Sequence, residues 1–147
     1  MRRLTLAGLM AVGLLTCAAS GCGEAEETDA AAEGTGTGPV VAHREAGDGG
    51  GMEALVEGPL VLSEGCLMVG EFPVIWPHGT RWDDDLGAVR LSDGRVVALG
   101  DRVSGGGGYP YLSDLGPDLA ERLADCPTNA YGEVASFNAG QRISLSE

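Results

Sequence analysis

Apolar residues follow two unlike patterns along this chain. The first is a single run, Leu4 to Thr16, in which every residue is apolar or small and none is charged. At about 13 residues it is shorter than the roughly 20 that a helix needs to cross a bilayer. It has the size of the apolar part of a secretory signal, and Arg2 and Arg3 supply the cationic start. The second pattern begins after Met52, where short apolar runs alternate with Gly, Pro, Asp and Ser. Between the two, Gly23 to about Met52 is mostly Glu, Ala, Thr, Asp and Gly, with Val40-Val41 as its only apolar pair of any size. Such a stretch offers too little apolar surface to offset the entropy of ordering it. The organisation expected is therefore a signal segment over 1–21, an acidic, disordered linker over 22–52 and one small domain over 53–147.

Within the domain the punctuation is that of strands. Leu55-Val56 and Leu60-Val61-Leu62 flank Gly58-Pro59, a first strand with an irregularity or edge at the proline. Ser63-Glu64-Gly65 has the chemistry of a three-residue loop closed by a left-handed glycine, returning the chain as Cys66–Val69. Gly70-Glu71 predicts a tight turn into Phe72–Trp76, and a polar loop runs from Pro77 to Gly87. Ala88–Ser92 and Arg95–Leu99 lie either side of Asp93-Gly94, a pair suited to a two-residue hairpin turn. That register sets Leu91 opposite Val96 and Val89 opposite Ala98, with Arg90 and Val97 on the other side. Gly100–Ser104 opens another strand, and the glycine run Gly105–Gly108 predicts a bend with unusual backbone angles. Pro117 sits in the first turn of the one convincing helix, where its missing donor costs nothing. Leu115, Leu119, Leu123 and Cys126 share one face of that helix, and Pro127 ends it. Glu133–Asn138 and Gln141–Leu145 are closing strands, joined through Ala139-Gly140. The fold expected is mainly β with one helix: a small antiparallel β-barrel, OB-like, its end plugged by the helix. A small β-sandwich is the alternative.

Small residues follow the first apolar run and lead to a cysteine. Ala19-Ser20-Gly21-Cys22 resembles the lipobox of bacterial lipoproteins, in which an aliphatic residue or Ala, a small residue and Gly or Ala precede the Cys. The resemblance implies that the Cys22 thiol is diacylglycerated, that the signal is cut before it and that the new N-terminus receives a further fatty chain such as palmitate. Cys17, after Leu14-Leu15-Thr16, is the alternative site of acylation, with Thr16 the poorer fit beside the cut. Each buried methylene contributes about 0.8 kcal/mol, so two or three chains hold a protein where one holds marginally. The implied location is exported and lipid-anchored to the outer face of the cell membrane, which the lipid makes a partner.

Composition narrows the partners further. The formal charge is −13, and Arg2 and Arg3 leave with the signal while no acidic residue does, so the mature chain carries −13 − 2 = −15. A body this acidic disfavours nucleic acid, whose binding is driven by cations displacing counterions, and flat docking on anionic lipid. With Cys22 acylated, Cys66 and Cys126 remain, in a compartment that permits a disulfide. Joining them closes a loop of about 60 residues, worth roughly 4 kcal/mol of chain entropy. Two buried free thiols are the alternative.

Candidate chemistry is sparse. Trp76, His78 and Trp82 are either an exposed ligand-binding platform or a loop whose tryptophans cover one end of the barrel. Asp83 and Asp85 are the only candidates for a cation, in a run without the spacing, central glycine or closing Glu of an EF-hand, and no metal is assigned. The glycine run lacks the Lys-Ser or Lys-Thr of a phosphate loop. No catalytic residue and no cofactor is assigned. Gly65-Cys66, Trp76-Pro77-x-Gly79-Thr80, Asp93-Gly94, Gly100-Asp101-x-Val103, the glycine run and the late cysteine together resemble small exported proteins of actinobacterial type. That likeness implies a compact disulfide-bonded barrel and no activity. The function expected is a membrane-anchored envelope lipoprotein with a non-catalytic binding or scaffolding domain, its partner an envelope protein or a small ligand. The alternatives are an envelope glycan or peptide hydrolase using carboxylates and a small-ligand or cation sensor.

Overall fold

The computed structural model describes residues 38–47 and 51–146. The expected signal segment, Cys17, the expected acylation site Cys22 and the linker up to residue 37 lie outside them. The described strands are β1 (Val41–Ala42), β2 (Ala54–Ser63), β3 (Cys66–Val69), β4 (Phe72–Trp76) and β5 (Arg81–Asp83). They continue with β6 (Ala88–Arg90), β7 (Val96–Val97), β8 (Arg102–Gly108), β9 (Ala135–Phe137) and β10 (Ser144–Ser146). A short 3-10 turn, Leu112–Asp114, precedes the helix α1, Pro117–Leu123.

Hydrogen bonding runs from β2 to β3, β4, β9, β8 and back to β2, closing a five-stranded barrel. All its pairs are antiparallel except β4 with β9. β2 makes the closure possible. Its first half, Ala54–Pro59, pairs with β8, and its second, Leu60–Ser63, with β3. The change falls at Pro59, which has no amide to leave unpaired. Gly58 lets the chains meet there, since a Cβ at this position would lie 2.9 Å from the Gly70 nitrogen. The irregularity expected at Gly58-Pro59 is thus a barrel corner.

Alternation along the strands sorts the apolar residues into two clusters. Val56, Leu60, Leu67, Val69, Val74, Trp76, Val103 and Phe137 fill the interior, with Trp76 and Phe137 rings 5.6 Å apart. Val89 and Val97 of the sheet β5-β6-β7, and Leu91 just after β6, join that interior. Ile75, between two inward residues, points outward and packs with Val41, Leu123 and Val134 in a second cluster. The helix is therefore not the plug expected. It covers the outer face of β4, and the three-stranded sheet covers the interior.

Two loops exchange their expected forms. Ser63 pairs directly with Cys66, so the β2–β3 turn is the two-residue loop Glu64-Gly65, with φ of 52° and 84°. Positive φ at both positions is the primed turn that suits strand twist. The Asp93-Gly94 hairpin is a three-residue loop instead: Gly94 N–H donates to Leu91 O, Leu91 N–H to Arg95 O, and Gly94 takes the left-handed position with φ 86°. Val89 consequently faces Val97, and Arg90 faces Val96. The one-residue shift buries Val97 and leaves Ala98 exposed, the reverse of the expected faces.

The glycine run is not a bend. Gly105–Gly108 is extended within β8, bonded on both edges. Closeness demands glycine most at Gly107, where a Cβ would collide with the Ser136 carbonyl; one at Gly105 would lie 3.1 Å from the Phe137 ring, and one at Gly106 would meet the movable end of the Gln141 side chain at 2.7 Å. The two closing strands do not pair with each other. β9 and β10 lie in succession along β8. The expected linker also ends early. Val40 and Val41 are buried, and β1 runs parallel to β4 beside Ile75 and Trp76. The apolar pair supplies the burial that the surrounding polar residues lack.

Candidate functional site

A cleft of about 220 Å³ opens where three segments meet: Pro77–Thr80 after β4, the hairpin tip Leu91–Asp93, and Gly140–Ile143 after β9. His78 N–H donates to Ala139 O at 2.9 Å and fixes the first segment to the third. Arg95 fixes the second to the third. Its guanidinium donates to Asp93 Oδ2 at 2.7 and 2.9 Å and to Ile143 O at 2.7 Å. The Arg95 amide also donates to Asp93 Oδ1. These contacts, the Arg95 side chain first, hold the Asp93 carboxyl below its ordinary range, so it is charged at neutral pH.

The apolar walls are Leu91, Ile143 and Pro77. The polar lining groups are Thr80, Ser92, Asp93, Gln141 and Arg142; Arg95, behind the lining, and Arg142, at 3.9 Å, flank the Asp93 carboxylate. Around that carboxylate cations outnumber anions two to one, in a chain whose overall charge is strongly negative. Thr80 contributes to the lining, and its buried Oγ1 has no hydrogen-bond partner. The volume is below the roughly 300 Å³ at which ligand pockets begin. The cleft holds one carboxylate, whereas paired-carboxylate hydrolysis takes two.

Trp76, His78 and Trp82 do not form a shared platform. Trp76 is wholly buried in the barrel, Trp82 is half-buried in β5, and only His78 is exposed. A tryptophan at the end of an inward-facing strand register belongs to the core, whatever loop follows it. Asp83 is occupied structurally. Arg90 Nη2 donates to its Oδ2 at 2.5 Å and the Leu86 amide to its Oδ1 at 3.1 Å. The Arg90 hydrogen bond is the chief reason its carboxyl is lowered. Asp85 is exposed, and among the described residues no three His, Cys, Asp or Glu side chains gather as metal ligands.

His43, expected in a solvated linker and assigned no site, packs against the barrel instead. Its Nε2–H donates to Phe137 O at 2.8 Å, and His78 Nδ1–H donates to His43 O at 3.2 Å. Buried Ser136 places Oγ 3.5 Å from the same His43 Nε2. A serine nucleophile needs an unprotonated nitrogen facing it. Here that nitrogen already gives its proton to a carbonyl, so the pair is a packing contact. The signal that could have found His43 is its position next to Val40-Val41-Ala42, the one apolar stretch in a polar region.

Cys66 and Cys126 form a disulfide, with Cα atoms 5.7 Å apart. Cys126, Leu115 and Leu119 pack against the second cluster, but the helix spans only Pro117–Leu123, so Leu115 and Cys126 reach the cluster from outside the single face expected, and the helix ends before Pro127. Comparison with known protein families, with characterised proteins and with solved structures finds no match.

Proposed function

We propose that this protein is an exported lipoprotein, anchored through acylated Cys22, whose barrel is a non-catalytic binding or scaffolding body at the outer face of the cell membrane. The observation that carries this is the cationic start, short apolar run and Ala19-Ser20-Gly21-Cys22 sequence. The Cys66–Cys126 bridge supports it, because such bonds persist in oxidising compartments. In the binding role the cleft between Thr80, Asp93 and Ile143 is the site, suited to a small polar ligand that accepts a hydrogen bond from the exposed Arg142 guanidinium. The hydrolase reading gains nothing from this geometry, and neither does a cation sensor at Asp83 and Asp85.

Fractionation of producing cells tests the anchor. The wild-type protein partitions with membranes and into detergent, and Cys22→Ser abolishes that partitioning, while Cys17→Ser leaves it unchanged. Retention of Cys22→Ser in the membrane fraction would sink the proposal.

A further inference from the structure

Gly38 to Arg44 forms a strap held on one side by the barrel, through the β1–β4 pairing and the His43 ring on Phe137 O, and on the other by α1. His43 N–H donates to Trp76 O in the barrel at 3.0 Å. From α1, Arg122 donates to Ala42 O and to Val40 O, both at 3.3 Å, and Asp118 accepts from Arg44 Nε at 3.0 Å. That helix has seven residues, too few to be stable unaided. The chain that leaves it is secured by the Cys66–Cys126 bridge. Both cysteines are half-buried and line a hollow of about 250 Å³ together with Arg122 and strap residues Gly38 to Val41. The hydrogen-bonded ring of the barrel includes neither strap nor helix.

We propose that this bridge is a thiol–disulfide exchange site for a dithiol reductant, and that opening it unlatches the strap while the barrel stays closed. A thiolate of the reductant attacks one bridge sulfur, forms a mixed disulfide and expels the other cysteine as a thiolate. The second thiol of the reductant resolves the mixed disulfide. Two electrons and two protons pass to the bridge, giving two cysteine thiols and one oxidised dithiol. Arg122 is the cation lining that hollow, placed to stabilise the expelled thiolate. A guanidinium drawn to a thiolate ceases to donate to Val40 and Ala42, which couples the chemistry to the strap. With Cys22 as the anchor, a consequence that rests on the reading above, release lengthens the covalent connection from 15 intervening residues (23–37) to 29 (23–51).

Hydrogen exchange on the full mature chain, with and without dithiothreitol, tests this. In the oxidised protein, peptides covering 38–47 exchange slowly. Reduction, or the double substitution Cys66→Ala and Cys126→Ala, accelerates them at least about tenfold, while peptides from β2 and β8 change less than about twofold. Arg122→Gln, its bridge intact, accelerates the strap by a smaller factor. A strap that is indifferent to reduction overturns the proposal, as does a barrel that opens together with it. An Arg122→Gln strap as slow as wild type overturns the coupling. Acylation does not enter this readout, so failure of the latch and failure of the anchor are seen separately.

Discussion

The barrel interior and the cluster beneath α1 use the same apolar residue types but are held in different ways. Around the interior, five strands satisfy one another's backbone groups in a closed ring. Trp76, Phe137 and Leu60 are enclosed on all sides. The outer cluster joins a two-residue strand to a seven-residue helix, and neither element would persist alone. Its integrity comes from a short β1–β4 pairing at one edge, a covalent bridge and ionic hydrogen bonds. A closed hydrogen-bonded ring distributes stability over many residues, whereas a stapled cluster concentrates it in few.

That difference can be broken from either side by denaturant titration. Phe137→Ala empties the centre of the interior and is expected to cost about 3–5 kcal/mol, lowering the midpoint of the whole domain. Removing the bridge with Cys66→Ala and Cys126→Ala costs up to about 4 kcal/mol by chain entropy. Leu123→Ala, in the outer cluster, costs about 2–3 kcal/mol, and hydrogen exchange should place the loss in the strap and helix. Equal acceleration throughout the barrel would show that the two clusters are one cooperative unit.

The loop exchange offers a finer test, because it reverses a sign. Glu64 adopts a left-handed conformation that favours glycine. Glu64→Gly should therefore raise stability by less than about 1 kcal/mol, after the entropy of the added glycine. In a three-residue loop, with Glu64 right-handed, the same change would lower it.

The smallest effect concerns pH. Asp83 and Asp93 have folded-state carboxyls below their unfolded values, held there by Arg90 and Arg95. The unfolded chain binds protons more readily, so these pairs contribute fully above the unfolded value of about 3.9 and lose their contribution as pH falls through the lowered folded values. Asp83→Asn should flatten the pH dependence in that acid window and leave it unchanged at neutral pH.

The parts of the fold legible in the sequence are those fixed by local chemistry. Pro117 located the start of the helix and Leu119 and Leu123 its packed face, while Leu115 and Cys126 join the same cluster from the segments on either side. The cysteine count, with the expectation of an exported compartment, pointed to the bridge. What escaped depended on distant neighbours. Whether Asp93-Gly94 or Ser92-Asp93-Gly94 forms the loop is decided by the burial of Val97 and by the grip of Asp93 on Arg95. Gly105–Gly108 looked like a bend because nothing local reveals that β9 and Gln141 will press on a strand there. The cleft was only half visible: Thr80 and Asp93 lay within noted stretches, but Ile143 reaches them through a closure that no local pattern specifies.

The measurement that tests the account most directly is mass spectrometry of the protein isolated from its own cells, alkylated without reduction. The account predicts a chain beginning at Cys22, carrying a diacylglyceryl group on that thiol, with Cys66 and Cys126 joined and unalkylated. An alkylated, lipid-free Cys22 on protein recovered from the culture fluid would contradict the anchor, and alkylated Cys66 and Cys126 would contradict the staple.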